Sequence, residues 1–278
     1  MAANPQASQF HGVSNELEIH YTDHPAQGDG DCLGHVVFIH GSGPGASGWS
    51  NFKHNVAAFQ QAGYRCVVYD QWGYGKTSKP TNVDHTLDFF VSGLMSLLDG
   101  LGIDQAILVG NSLGGAVAMG AALAYPERVS KLILMAPGGI EARETYFAMA
   151  GIQAMVKYPM GSPEFTRDVL AKLLELLVFD PSVVDEELVQ ERWDTLQTQN
   201  AHVLATMQIP DLSPRLSELK APALVFWGSE DRFCPASGVW KLLETDIPVQ
   251  AELLNRCGHW VMSEYPALFN ERCLAFLS

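Results

Sequence analysis

The chain has 278 residues, 47% hydrophobic and 17% charged, which supplies enough apolar material for a sizeable core and argues against global disorder. Acidic side chains outnumber basic ones 31 to 17, a net charge of −14. That balance disfavours nucleic acid or an anionic membrane surface as a partner, and an anionic substrate would need a specific local cation. No run of about 18 apolar residues is present, so no transmembrane helix is expected.

In chain order, short apolar, β-branched runs alternate with longer amphipathic ones. Residues 1–10 carry neither a basic stretch nor an apolar core, so no signal peptide is expected. Strands are expected over residues 17–21, 36–40, 65–70, 106–110, 131–135, 223–227 and 249–254. Helices are expected over 51–61, 85–101, 113–124, 238–244 and 266–276. The alternation calls for a mainly parallel, doubly wound α/β sheet. The strand at 17–21, followed by a polar, Gly-rich stretch, is expected as an antiparallel edge. Residues 139–207 break the rhythm with helical stretches at 143–156, 163–178 and 185–197, the second carrying an apolar stripe of Ala171, Leu174, Leu177 and Val178. This segment reads as a helical cap inserted into a core made of 1–138 and 208–278. Five cysteines without C-x-x-C spacing read as reduced thiols of a cytoplasmic protein.

Gly110-Asn111-Ser112-Leu113-Gly114 matches G-x-S-x-G between a strand-like and a helix-like run. A serine on so sharp a turn stands clear of the sheet, and the next backbone N–H, that of Leu113, provides half of an oxyanion hole. A serine hydroxyl needs a base held by an acid, in the chain order Ser, Asp or Glu, His. Asp231 follows the apolar run ending at Trp227, and His259 follows the run at 249–254. Glu230 is a rival for the acid. The loop His40-Gly41-Ser42-Gly43-Pro44-Gly45-Ala46 offers the second oxyanion donor, the N–H of Ser42 ahead of that of Gly43. His40 is expected to fix this loop rather than act as a base. No H-E-x-x-H, C-x-x-C or carboxylate cluster points to a metal.

In these motifs the chain resembles the meta-cleavage-product hydrolases of the α/β-hydrolase superfamily. The likeness lies in residues 40–51, in Gly110-Asn111-Ser112-Leu113-Gly114-Gly115, in Trp227-Gly228-Ser229-Glu230-Asp231-Arg232-Phe233, in Arg192 within 188–193, and in Cys257-Gly258-His259-Trp260. The resemblance implies an α/β-hydrolase fold with an eight-stranded sheet and a helical cap. It also implies cofactor-free hydrolysis of a carbon–carbon bond in a 2-hydroxy-6-oxo-hexa-2,4-dienoate, giving a 2-hydroxypenta-2,4-dienoate and a carboxylic acid. Arg192 would hold the substrate carboxylate, with Gly43, Asn51, Asn111 and Trp260 around the same head group. Phe233, Ile152, Met155 and Leu177 would line the distal pocket. Aromatic, alkyl and steroid-derived acyl groups all fit this reading, and a homo-oligomer is expected. Alternatives from the residues alone are a serine esterase, amidase or lactonase with the same triad, or a ligand-sensing α/β-hydrolase. A serine at position 112 excludes the carboxylate-nucleophile chemistry of dehalogenases and epoxide hydrolases.

Overall fold

A computed structural model describes residues 8–14, 16–28 and 30–278; the reading of residues 1–10 falls mostly outside them. Its sheet has eight strands: β1 (Gln9–Gly12), β2 (Glu18–His24), β3 (His35–Ile39), β4 (Arg65–Tyr69), β5 (Ala106–Asn111), β6 (Val129–Met135), β7 (Ala223–Gly228) and β8 (Val249–Leu254). They lie in the order β1-β2-β4-β3-β5-β6-β7-β8, with β3 to β8 mutually parallel and β2 antiparallel to both β1 and β4. The inner parallel strands are mostly continuous apolar runs, as burial on both faces requires, whereas the edge strand β8 is half exposed. In β3, Val37 and Ile39 enter one core cluster while Val36 and Phe38 enter the other.

The helices are α1 (Gly48–Phe52), α2 (Val56–Gln61), α3 (Leu87–Gly100), α4 (Leu113–Ala124), α5 (Arg143–Phe147), α6 (Ala150–Lys157), α7 (Arg167–Glu175), α8 (Glu186–Leu196), α9 (His202–Thr206), α10 (Gly238–Leu243), α11 (Val261–Glu264) and α12 (Pro266–Leu277). Helices α5 to α9 all lie between β6 and β7. Buried Leu170, Leu173, Leu174, Leu188 and Val189 join this insert to the core on the β3 Val36–Phe38 face. No helix among the described residues is long and apolar enough to cross a membrane.

Four expectations need correction. The strand at 17–21 is antiparallel but not the edge: β1 covers it, pairing Gln9 with Tyr21 and Gly12 with Glu18. The helix expected over 51–61 is split, because buried Asn55 turns the chain and donates from Nδ2 to Met262 O at 3.1 Å and Asn270 Oδ1 at 3.0 Å. The helix at 143–156 is also split, where the Gly151 N–H is drawn to Arg232 O at 2.8 Å. Within 163–178 only α7 is α-helical, so Leu177 and Val178 lie past its end; Leu170, Leu173 and Leu174 form its buried face instead of the stripe through Ala171.

Between β3 and β5 the chain switches direction across the sheet. The loop after β3 and the turn after β5 therefore meet at the strand C-termini, where doubly wound sheets leave a crevice.

Candidate active site

Ser112 sits on the turn from β5 into α4 with φ 55° and ψ −117°, a conformation seldom adopted by a residue with a side chain. The turn is possible because its flanks are glycines: a Cβ on Gly114 would overlap the Ile39 carbonyl, and one on Gly110 the Gly114 carbonyl. The Ser112 N–H is tied to Met135 O at 3.0 Å, fixing the turn to the neighbouring strand. Leu113 opens α4, so its N–H has no intrahelical acceptor and points from the positive end of the helix.

His259 and Asp231 are joined through Nδ1 and Oδ2 at 2.7 Å, their side chains 2% and 0% exposed. The second Asp231 oxygen accepts the N–H groups of Phe233 at 2.7 Å and Cys234 at 2.9 Å. Asp231 is thus held on both oxygens, whereas Glu230 is exposed and its Oε1 accepts from Ser229 Oγ at 3.3 Å. The His259 loop is anchored by its own N–H to Leu177 O at 2.8 Å and by Gly258 N–H to Glu264 Oε1 at 2.6 Å.

Arg192 projects from α8 and is 2% exposed. Its Nη2 donates to Asn51 Oδ1 at 3.0 Å, its guanidinium carbon lies 5.0 Å from the Trp260 ring centre, and its Nε has no partner among the described residues. No carboxylate among those residues pairs with it; Glu187 and Glu191 instead lie 3.6 and 2.9 Å from Lys53 Nζ. Burial lowers the guanidinium pKa from 12.5 to about 10, which still leaves it charged at neutral pH. A buried, unpaired guanidinium is costly and persists where an anion completes it.

Asn51 donates in turn to Asn111 Oδ1 at 3.4 Å, and Asn111 Nδ2 donates to Met135 O at 3.2 Å and His259 O at 3.3 Å. One polar chain therefore runs from Arg192 to the histidine loop. His40, fully buried, receives the Gln71 N–H on Nε2 at 3.0 Å, so Nδ1 carries the proton and donates to Gly41 O at 2.7 Å. Burial pushes its pKa down to about 4. It fixes the 41–46 loop as a neutral ring.

These parts surround a cavity of about 1170 Å³ between the sheet and the helical insert. Gly41, Ser42, Gly43, Asn111, Ser112, Leu113, Arg192, Phe233, His259 and Trp260 are all on its wall, as are Ile152, Met155 and Leu177. Asn51 is not on the wall and lies behind Arg192 as its support. Phe233 packs on His259 with ring centres 5.3 Å apart.

Two residues escape the sequence reading. Cys234 is on the wall, and its N–H helps hold Asp231; the signal was its place three residues after an aspartate in a turn, where such N–H groups are commonly captured. Lys53 binds Glu191, the sequence neighbour of Arg192, and Glu187, a long-range relation between the end of α1 and α8 with no local signal.

A model described as the Alpha/beta hydrolase family matches residues 36–272. The chain is 38% identical over 276 residues to the 2-hydroxy-6-oxononadienedioate/2-hydroxy-6-oxononatrienedioate hydrolase of Comamonas testosteroni, covering 96% of this chain and 93% of that protein. It is equally 38% identical over 276 residues to the 2-hydroxy-6-oxo-6-phenylhexa-2,4-dienoate hydrolase of Burkholderia cepacia, with the same coverage, 96% and 93%. Among solved structures, a meta-cleavage product hydrolase from Pseudomonas fluorescens IP01 superposes with a TM-score of 0.82 at 26% identity, over 98% of this chain and 97% of that one.

Proposed function

This chain belongs to the alpha/beta hydrolase family, among its meta-cleavage-product (2-hydroxy-6-oxo-dienoate) C–C bond hydrolases, and we propose that Ser112, His259 and Asp231 are its catalytic residues. The observation that carries the reading is Arg192: a buried guanidinium without a carboxylate partner among the described residues, on the wall of the cavity that also holds Ser112 and His259. An ester or amide substrate has no need of it. A dienoate carboxylate completes it.

In this reading Arg192 takes the carboxylate of the dienoate, steadied by Asn51 and by the face of Trp260. Asn111 and the backbone at Gly43 flank the same head group. His259 moves the proton of the C2 hydroxyl to C5, leaving a ketone at C6 that can accept a nucleophile. Ser112 and His259 then deliver the elements of water to C6. The Ser42 and Leu113 N–H groups receive the developing oxyanion, a role suited to preorganised donors in a dry site. The C5–C6 bond breaks, releasing a 2-hydroxypenta-2,4-dienoate and a carboxylic acid. Asp231 keeps the proton on His259 Nδ1, so that Nε2 faces the reaction.

Residues 139–207 act as a cap in this scheme: they contribute Arg192, and the chain rejoins the core through Gln208, whose N–H bonds His85 O at 3.0 Å. The same reading assigns the protein to the cytoplasm, supported by five free thiols, four of them buried. It also includes a homo-oligomer, supported by exposed Trp240 and Leu253 near the free β8 edge.

The test is spectrophotometric: ring-fission products of catechols are mixed with the protein and the yellow dienolate absorbance is followed. Rapid decay is the expected result. Hydrolysis of p-nitrophenyl acetate with no decay of any dienolate would point instead to a simple serine esterase.

A further inference from the structure

The chemistry of the reaction leaves open what is attached to C6, and the cavity wall bears on it. We infer that the acyl half of the substrate is a bulky, uncharged hydrocarbon group of about two rings or the branched equivalent, and not a carboxyalkyl chain; this rests on the C–C cleavage reading above and deepens it.

Three observations lead there. First, at about 1170 Å³ the cavity exceeds the roughly 300–1,000 Å³ that accommodates most drug-sized ligands, while the dienoate head engages only the Arg192 side. The insert supplies Met155, Met160, Leu170, Leu173 and Leu174 to the remaining wall, an apolar surface with flexible thioethers that adapts to irregular shapes.

Second, the charges on that wall are wrong for a second carboxylate. Among the described residues the only cations on it are Arg192 and Arg143. Arg143 is exposed and lies over the Phe147 ring at 5.1 Å, where water screens it. Asp88 and Asp211 share the same wall but are exposed and screened like Arg143, and Glu141 is bound to Lys241 at 2.7 Å. A carboxylate at the distal end would leave water for a wall whose one buried cation among the described residues, Arg192, is taken by the dienoate head, a large desolvation cost without compensation.

Third, Phe147 and Val156 line the cavity yet are 46% and 60% exposed. Apolar side chains at a pocket mouth remain in water unless something covers them, and a bulky hydrocarbon reaching out from C6 would do so.

The experiment compares dienoates identical up to C6 and differing in the group beyond it: methyl, isobutyl, carboxyethyl, phenyl and a bicyclic hydrocarbon. The kcat/KM for isobutyl is expected to exceed that for carboxyethyl, its charged near-isostere, by about 10²-fold. The bicyclic compound should exceed methyl by at least about 10-fold. Val156→Lys, at the exposed rim, should raise the ratio of kcat/KM for carboxyethyl over that for isobutyl several-fold. Carboxyethyl turned over as well as isobutyl, or methyl as well as the bicyclic compound, would overturn the inference while leaving C–C cleavage intact. So would loss of carboxyethyl turnover confined to Arg143→Ala, since that would make Arg143 the missing cation. No cleavage of any dienoate, with an ester still hydrolysed, would overturn both readings.

Discussion

Lys53 Nζ lies 2.9 Å from Glu191 Oε2, so the carboxylate adjacent in sequence to Arg192 is bound by the core rather than by the arginine. The Lys53 side chain is only 11% exposed, and Glu187 approaches it from the same helix at 3.6 Å. This arrangement leaves the Arg192 charge available to a ligand. It predicts that Lys53→Met frees Glu191 to compete for Arg192, raising KM for a dienoate about 5- to 20-fold with a smaller change in kcat. Turnover of a neutral ester should be unaffected. Steady-state kinetics on both substrates measures this, and equal losses on the two would mean that Lys53 acts only by holding α8 to the core.

Arg192→Met removes the charge, and with it the guanidinium that lies over Trp260, while keeping an apolar stem of similar length. Losing one partner of a buried ion pair costs about 2–5 kcal/mol, so kcat/KM for dienoates should fall by about 10²-fold or more. Hydrolysis of p-nitrophenyl acetate should change by less than about threefold, because that substrate has no anion to hold. A parallel loss on both would remove the carboxylate clamp from the mechanism.

Ser112→Ala should bind the dienoate with little change while kcat falls about 10³-fold or more. Asp231→Asn should fall comparably, since an amide no longer fixes the His259 proton on Nδ1. Binding is read from the shift in dienolate absorbance when the inactive protein is added in excess. Near-normal turnover in Ser112→Ala would remove that hydroxyl from the chemistry.

The central strands and the Ser112 turn were legible because their signals are local. Strands buried on both faces are short apolar runs, and β5 and β7 begin where those runs begin. The turn depends on glycines two positions either side of Ser112, again readable in sequence. β1 was not legible, since Gln-Phe-His-Gly is mostly exposed and is held by pairing to β2 rather than by burial. The helix breaks at Asn55 and before Ala150 follow from bonds to Met262, Asn270 and Arg232, residues about 80 to 215 positions away by the registers of those contacts. The resemblance ties Asn51 to the head-group region, but that it backs Arg192 rather than lining the cavity depends on how α1 meets α8. No local pattern carries that information.

Gly45 adopts φ +66°, and a Cβ there would overlap the Arg192 backbone carbonyl. Gly45→Ala therefore adds backbone strain of order 1–3 kcal/mol and pushes α8 away from the loop that carries Ser42. The expected outcome is a Tm lowered by several degrees, together with a dienoate KM raised at a temperature where the variant is still folded. Pocket residues far from this contact, such as Met160, should leave KM for the same substrate nearly unchanged when conservatively replaced by Leu. An unaltered Tm and KM in Gly45→Ala would show that the loop and α8 separate without cost.

His40 links stability to pH. Its ring is neutral and fully buried, with both nitrogens used, and its pKa is lowered from 6.5 to about 4, chiefly by desolvation. On unfolding, the ring takes up a proton below about pH 6.5, whereas the native protein resists protonation until about pH 4. The unfolded state thus binds more protons in that window, and stability must fall as the pH drops from 6.5 towards 4. The whole effect is on the order of 3 kcal/mol for this residue. His85 adds to the slope with the same sign, its pKa also lowered to about 4 by burial and by neighbouring His202. Urea unfolding midpoints measured from pH 7.5 to 4 should decline, and His40→Gln should show a shallower decline despite a lower midpoint at neutral pH. Parallel curves for the wild type and His40→Gln would mean that the native imidazole takes up its proton as readily as the unfolded one, contrary to its burial between Gly41 and Gln71.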